Sequence, residues 1–275
     1  MVKSNLGLRL LTAAVVVPPL LLLLYRGPSV GFFLLVAVAA ALSALELFRM
    51  THPGDGVSQG IGIALTSAVT ALVYFFSHDA LVLLTVLAVV PIIGMLIPLL
   101  RLGEIATAGL RMMAGVAGPL YLGVALATLA LLHRDTGAAG PGWVLLTLMF
   151  AWLADTGGYF FGRFLGKTKL YEAVSPKKTR AGFVGALVGA ALAAVIARFW
   201  FLPSIDLVEV LPLAVLAGAL GQFGDLVESL LKRSTGIKDS GSLIPGHGGI
   251  LDRIDALLIV APLVYLYVRW AHIAY

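Results

Sequence analysis

Four aspartates stand in or beside strongly apolar sequence: Asp155, Asp225, Asp252 and Asp255. A carboxylate inside a membrane segment is costly, and proteins keep one there for function. Carboxylate oxygens are the ligands of hard divalent cations such as Mg²⁺, which fill their remaining positions with water and phosphate oxygens. Bases lie close by in sequence: Lys232 and Arg233 after Asp225, then Lys238, then Arg253 between the last two acids. A further basic run, Ser175-Pro176-Lys177-Lys178-Thr179, precedes an apolar segment. Acids alternating with bases suit a metal-assisted site for a phosphorylated substrate. Retention of positive charge on one membrane face explains the side on which the bases lie, but not this alternation.

Spacing refines the picture. Asp225 and Lys232 are seven residues apart, about two helical turns, so they share a face with Ser229 between them. Taken alone, a helix-end ion pair with Lys232 reaching to lipid headgroups accounts for them equally well. Asp252 and Asp255 are three apart at the start of an apolar run, which points their carboxylates the same way; two acids in a first helical turn also suit the helix dipole. Asp155 precedes Arg163 by eight residues, placing it ~12 Å inside a helix end; the plainer alternative is an acid used for helix packing. Gly246-His247-Gly248-Gly249 predicts a flexible loop where backbone amides approach phosphate, although His247 alone says little. Gly162 to Thr168 is similar to a P-loop but has three residues between its glycines instead of four, and it leaves a membrane helix instead of joining a strand to a helix. Gly158, Gly162 and Gly166 recur every fourth residue, the spacing of close helix packing.

Membrane helices must position these residues. The chain has 275 residues, 60% hydrophobic and 12% charged, with a mean hydropathy of +1.02. Soluble domains carry about 25% charged residues, and one core of this length could not bury so much apolar surface. A polytopic membrane protein follows; a soluble enzyme, a disordered chain and a fibrous chain are excluded. Continuous apolar runs such as Ala80 to Leu100 and Met112 to Leu132 argue against a membrane β-barrel, whose strands alternate. The absence of cysteine excludes disulfides, thiolate catalysis and Cys-based metal sites. The expected fold is an all-α integral membrane protein of about nine spans, near 7–25, 29–50, 59–76, 80–100, 112–132, 143–162, 181–201, 209–231 and 250–273. The first reads as a retained anchor kinked at Pro18-Pro19. Nine spans put fifteen Lys and Arg on the side of the N-terminus and four on the other, so the N-terminus is expected in the cytosol. All four aspartates then fall at cytosolic helix ends, on three spans. Two regions differ in kind: 1–140, spans one to five, as scaffold with dimer and lipid contacts, and 141–275, spans six to nine, as the catalytic region with polar loops 163–180 and 232–249.

The stretch from Ser229 to Asp255 reads Ser229-Leu-Leu-Lys232-Arg233, Lys238-Asp239, Gly241, Ile244-Pro-Gly-His247-Gly248-Gly249 and Asp252-Arg253-Ile-Asp255. It resembles the signature of the phosphatidate cytidylyltransferase family, the CDP-diacylglycerol synthases. Asp155-Thr-Gly-Gly-Tyr-Phe-Phe-Gly-Arg163 and Ser175-Pro-Lys-Lys-Thr179 are similar to its two upstream motifs, in the expected order. The resemblance covers about residues 145–260 by motif. It departs at Ala181, where the family commonly has Glu or Gln.

The resemblance implies transfer of a cytidylyl group from CTP to phosphatidate, giving CDP-diacylglycerol and pyrophosphate. It implies Mg²⁺, with or without a second cation, and a multi-pass homodimer in the cell (inner or plasma) membrane with its site facing the cytosol. CTP, phosphatidate and the bilayer are the expected partners; nucleic acid is not. By motif, Asp225, Asp252 and Asp255 are the metal ligands, with Asp155 near them. Lys232 and the residues Ser175, Lys177, Lys178 and Thr179 touch phosphates, and Arg233, Lys238, His247, Gly248, Gly249 and Arg253 belong to the substrate-binding set.

The residues suit this chemistry on their own terms. A phosphate oxygen is already anionic at neutral pH, so no Ser, Cys or His nucleophile is required. Repulsion between two polyanions must be overcome, and a cation with several Lys and Arg does that by positioning and charge stabilisation. Three alternatives stay open: a CTP-dependent transferase for another lipid phosphate or a lipid alcohol, an intramembrane aspartyl protease, and a cation-coupled transporter. The protease expects Gly-x-Gly-Asp where this chain has Gly221-Gln-Phe-Gly224-Asp225. The transporter predicts acids near the bilayer midplane.

Overall fold

The computed structural model of the protein describes residues 6–241 and 248–271. It is an all-α membrane fold in which seven helices are long and apolar enough to cross a bilayer. The chain forms two compact units, Met1–Ala130 with Asp239–Arg253, and Leu131–Lys238 with Ile254–Tyr275.

In the first unit, α1 (Leu6–Arg26) is followed by α2 (Ser29–Thr51), α3 (Gly56–Phe75), α4 (Ala80–Leu100) and α5 (Ala108–Gly118). After α5 the helix widens into a π turn, Pro119–Val124, and continues as α6 (Ala125–Asp135). Pro119 has no N–H and crowds the carbonyl four residues back, and the wider turn absorbs this without ending the span. Helix contacts here are made where a backbone can come close. A Cβ on Gly94 would lie 2.5 Å from the Gly115 carbonyl group, so α4 and α5 meet backbone to backbone. Phe33 of α2 stacks on Tyr74 of α3 at 4.2 Å. The most apolar stretch of α4 is only 22% buried, against 72% for the helical stretch Ile105–Asp135. Leu81, Leu84, Leu87 and Leu99 of α4 therefore face outward, as hydrocarbon permits.

Asp55 begins α3, accepting from the Ser58 amide at 3.2 Å, and pairs with Arg101 at 2.9 Å. The Arg101 guanidinium and the Ser58 hydroxyl hold its carboxyl well below the usual carboxylate range.

The second unit holds α7 (Gly140–Leu165), a hairpin of β1 (Lys169–Tyr171) and β2 (Ser175–Thr179), then α8 (Arg180–Trp200), α9 (Leu207–Ser234) and α11 (Leu257–Trp270). The hairpin is antiparallel, with Lys169 opposite Thr179 and Tyr171 opposite Ser175. Small residues bring α7 and α8 together. A Cβ on Gly182 would stand 2.9 Å from the Gly158 carbonyl, and Ala186, Ala190, Ala193 and Ala197 of α8 are fully buried. The four-residue glycine spacing is thus a packing feature, as the sequence predicts.

The expected single helix over 250–273 is interrupted. A short α10 (Leu251–Ile254) precedes α11, with Asp255 and Ala256 between them. Asp255 Oδ1 accepts from the Ala256 amide at 2.7 Å, a local side-chain bond that competes with helical pairing. The three-residue spacing of Asp252 and Asp255 therefore does not by itself give them a common direction.

Candidate active site

A cavity of ≈ 350 Å³ opens in the second unit, lined by residues of α7, β2, α8 and α9. Asp155 and Arg163 come from α7, Lys177, Lys178 and Thr179 from β2, and Gln222 and Asp225 from α9. The strand and the helix cap fix the basic run. Thr179 accepts from the Gly182 amide at 3.1 Å and so caps α8. A Cβ on Gly166 would stand 2.6 Å from the Thr179 hydroxyl oxygen, and one on Gly162 3.2 Å from it. Glycine at both positions leaves the cap in place.

Lys178 is the centre of the polar cluster. Its ammonium lies 2.7 Å from Asp225 Oδ2 and donates to Gln222 Oε1 at 3.0 Å and to the Gln222 carbonyl at 3.2 Å. Gln222 Nε2 in turn donates to Asp155 Oδ1 at 3.4 Å, and Ser229 Oγ donates to Asp225 Oδ1 at 3.2 Å. A chain of contacts thus runs from Asp155 through Gln222 and Lys178 to Asp225 and Ser229. Asp255 stands in the electrostatic field of Asp225, Asp155 and Lys178. Arg163 sits over the Tyr159 ring at 5.8 Å, its charge on the cavity wall.

The remaining sequence candidates are distributed as follows. Lys232 is buried and pairs with Glu228 at 3.0 Å, one turn back on α9. Ser175 is half-buried, while Arg233, Lys238 and Arg253 are exposed, and Arg233 donates to the Ile237 carbonyl. In the first unit, Asp252 Oδ2 accepts from the Ser240 amide at 3.1 Å and from the Gly249 amide at 3.0 Å. Gly248 takes φ +84°, a conformation that favours glycine. His247 lies outside the described residues.

Three residues escape the sequence argument. Gln222 carries the link between Asp155 and Lys178; its signal is a polar side chain three residues before Asp225 on an apolar helix. Glu228 partners Lys232, and its signal is the four-residue spacing. Glu46 of α2 holds the segment around Asp252, and its signal is an acid in an apolar run outside the catalytic region.

Asp225 and, linked to it through Gln222 and Lys178, Asp155 offer only oxygen donors, which would suit a hard divalent cation and not a soft one. Among the described residues, no three His, Asp or Glu side chains are grouped as a metal site.

Known proteins place the chain in a family. It is 43% identical over 130 residues to a phosphatidate cytidylyltransferase of Staphylococcus saprophyticus subsp. saprophyticus, covering 47% of this chain and 50% of that protein. The phosphatidate cytidylyltransferase of Staphylococcus haemolyticus is 42% identical over 129 residues, with the same coverage, and that of Staphylococcus aureus 42% over 131 residues, again 47% and 50%. The chain spans about half the length of these relatives in each match. The sequence profile of the cytidylyltransferase family matches residues 7–271, nearly the whole length, and the chain belongs to that family.

Proposed function

We propose that the chain is a CTP:phosphatidate cytidylyltransferase. A phosphatidate oxygen attacks the α-phosphorus of CTP, an O–P bond forms, the bond to the bridging oxygen breaks, and pyrophosphate leaves. The observation that carries this reading is the Lys178–Asp225 pair at 2.7 Å on a cavity whose wall also holds Lys177, Arg163 and Asp155. Lys178 and Lys177 suit phosphate oxygens, with Ser175, Thr179, Arg233, Lys238, Arg253, His247, Gly248 and Gly249 in the substrate set by resemblance. Asp225, Asp252 and Asp255 are the proposed ligands of Mg²⁺, and Asp155 supports them. A cation held by these residues would supply positive charge to offset that of the phosphates. An aspartyl protease would need two carboxylates sharing a proton, whereas Asp225 is matched to a lysine.

The same reading makes the protein a nine-span homodimer of the cell membrane with its N-terminus and site in the cytosol, residues 1–140 serving as scaffold and 141–275 as the catalytic region. Purified protein with labelled CTP, phosphatidate and Mg²⁺ should give labelled CDP-diacylglycerol on thin-layer chromatography. No product, or product only from another lipid, would overturn the assignment. For topology, Lys169→Cys in this cysteine-free chain should react with an impermeant thiol reagent only from the cytosol, and Ala138→Cys only from outside. Outside labelling of Lys169→Cys would sink the nine-span arrangement.

A further inference from the structure

Glu46 lies in α2, is 2% exposed, and accepts three hydrogen bonds from one distant segment. Ile250 N donates to its Oε1 at 2.9 Å, while Leu251 N and Ser240 Oγ donate to its Oε2, each at 2.9 Å. The segment is shaped to admit it. A Cβ on Gly241 would stand 2.6 Å from Glu46 Oε1, and one on Gly249 would strike both Glu46 Oε2 and Ser240 Oγ. The residues so gripped also present the amides of Ser240 and Gly249 to Asp252 Oδ2 at 3.1 and 3.0 Å.

We propose that Glu46 is a positioning residue that clamps both ends of the 240–252 segment and, through the Ser240 and Gly249 amides, fixes the Asp252 carboxylate. This rests on the proposed function in so far as Asp252 serves the reaction. A carboxylate is required for a simple reason. It offers acceptors only, and both of its oxygens face backbone N–H donors. An amide has one oxygen, so in either orientation its NH₂ opposes a backbone N–H, and one buried donor is left unpaired. Two of the signature's glycines thereby gain a cause that is independent of phosphate binding: they make room for a side chain from α2.

Glu46→Gln should speed amide hydrogen exchange in peptides covering 239–253 by at least about tenfold while peptides of α7 and α8 keep their wild-type rates, since a charged hydrogen bond is lost. Its kcat should fall by at least about tenfold as well, with KM for CTP little changed. Glu46→Asp keeps both acceptors but is one methylene short, and should be intermediate in both readouts. Ser240→Ala removes one bond of the three; it should raise exchange less, and it carries the same exchange test if Glu46→Gln fails to fold. Wild-type exchange over 239–253 in whichever of the two folds overturns the clamp. Faster exchange in Glu46→Gln with unchanged kcat overturns its link to turnover. If the wild-type protein makes no CDP-diacylglycerol, the functional reading fails, and the exchange data still decide whether Glu46 holds the segment.

Discussion

Glu46 in α2 and Asp225 in α9 are both carboxylates carried by apolar helices. The chain surrounds Glu46 with donors of its own, two backbone amides and a hydroxyl, and leaves it 2% exposed. Asp225 meets one lysine and one serine and keeps an edge on a cavity. A buried carboxylate whose oxygens are occupied by main-chain donors works on the fold, because nothing else can reach it. One that shares a cavity wall with lysines and an arginine works on what enters the cavity. The units follow the same division. In the first, Asp55 is matched to Ser58 and Arg101 and begins a helix. In the second, Asp155, Gln222, Lys178 and Asp225 connect two helices and a strand around open space.

Asp225→Asn should show the largest effect. Asn is nearly isosteric but lacks the charge that balances Lys178 and that a hard cation needs. Product formation should fall to background, with the protein monodisperse and amide exchange over 239–253 unaltered. That exchange pattern separates it from Glu46→Gln. Ordinary turnover at ordinary Mg²⁺ would remove Asp225 from the site and erase the contrast.

Lys232→Met comes next, and the buried Glu228 changes what it should do. If Lys232 stabilises phosphate charge in the transition state, kcat falls about 10²-fold. The substitution also breaks the buried pair with Glu228, which costs about 3–5 kcal/mol. Adding Glu228→Gln should recover most of the thermal stability and none of the turnover. Recovery of both would make the pair structural, on the side of Glu46.

Asp55→Asn tests the first unit more gently. Asn still caps a helix, so the change isolates the charge. Because Asp55 has its carboxyl lowered in the folded protein, its contribution is present above the unfolded value of about 3.9 and fades as pH falls through the folded one. Tm should drop by no more than about 3 °C at neutral pH, as for an exposed pair. The gap should close in strong acid, and activity at neutral pH should hold. A large loss of activity would mean that this end of α3 reaches the chemistry.

Helix positions were legible in the sequence because continuous apolar runs set them. All nine expected segments contain helix, and Gly158, Gly162 and Gly166 do pack against a neighbour. Asp155, Lys178 and Asp225 were legible as members of one polar site, since charge in apolar sequence has few other uses. Their connector was not: Gln222 is uncharged, and its value depends on α7 and β2 arriving at either end of its amide. Ser175–Thr179 read as a loop, and it is a strand because Lys169–Tyr171 pairs with it. The break at Asp255 depends on one side chain choosing its own backbone. Glu46 was hidden by distance, being about 200 residues from the segment it holds.

The smallest expected effect is at Ala181, where this chain departs from the family's usual Glu or Gln. Thr179 is the cap of α8 and Arg180 its first residue, so Ala181 sits in the first turn, half-buried. The cavity wall passes from Thr179 to Gly182 and Phe183. An acid at this position has two possible uses: to meet the positive end of the helix, or to order Lys177 and Lys178. The structure favours the first, because Lys178 is already held by Asp225 and Gln222 and the strand pairing fixes its backbone. Alanine is also a good helix former, and a lone acid in a first turn contributes only ~0.3–1 kcal/mol. Ala181→Glu should therefore leave kcat and KM for CTP within a few-fold of wild type and raise Tm slightly. A large shift in KM for CTP, in either direction, would mean that the position acts on the lysines, and that the ordering of β2 is set from the helix side as well as from Asp225.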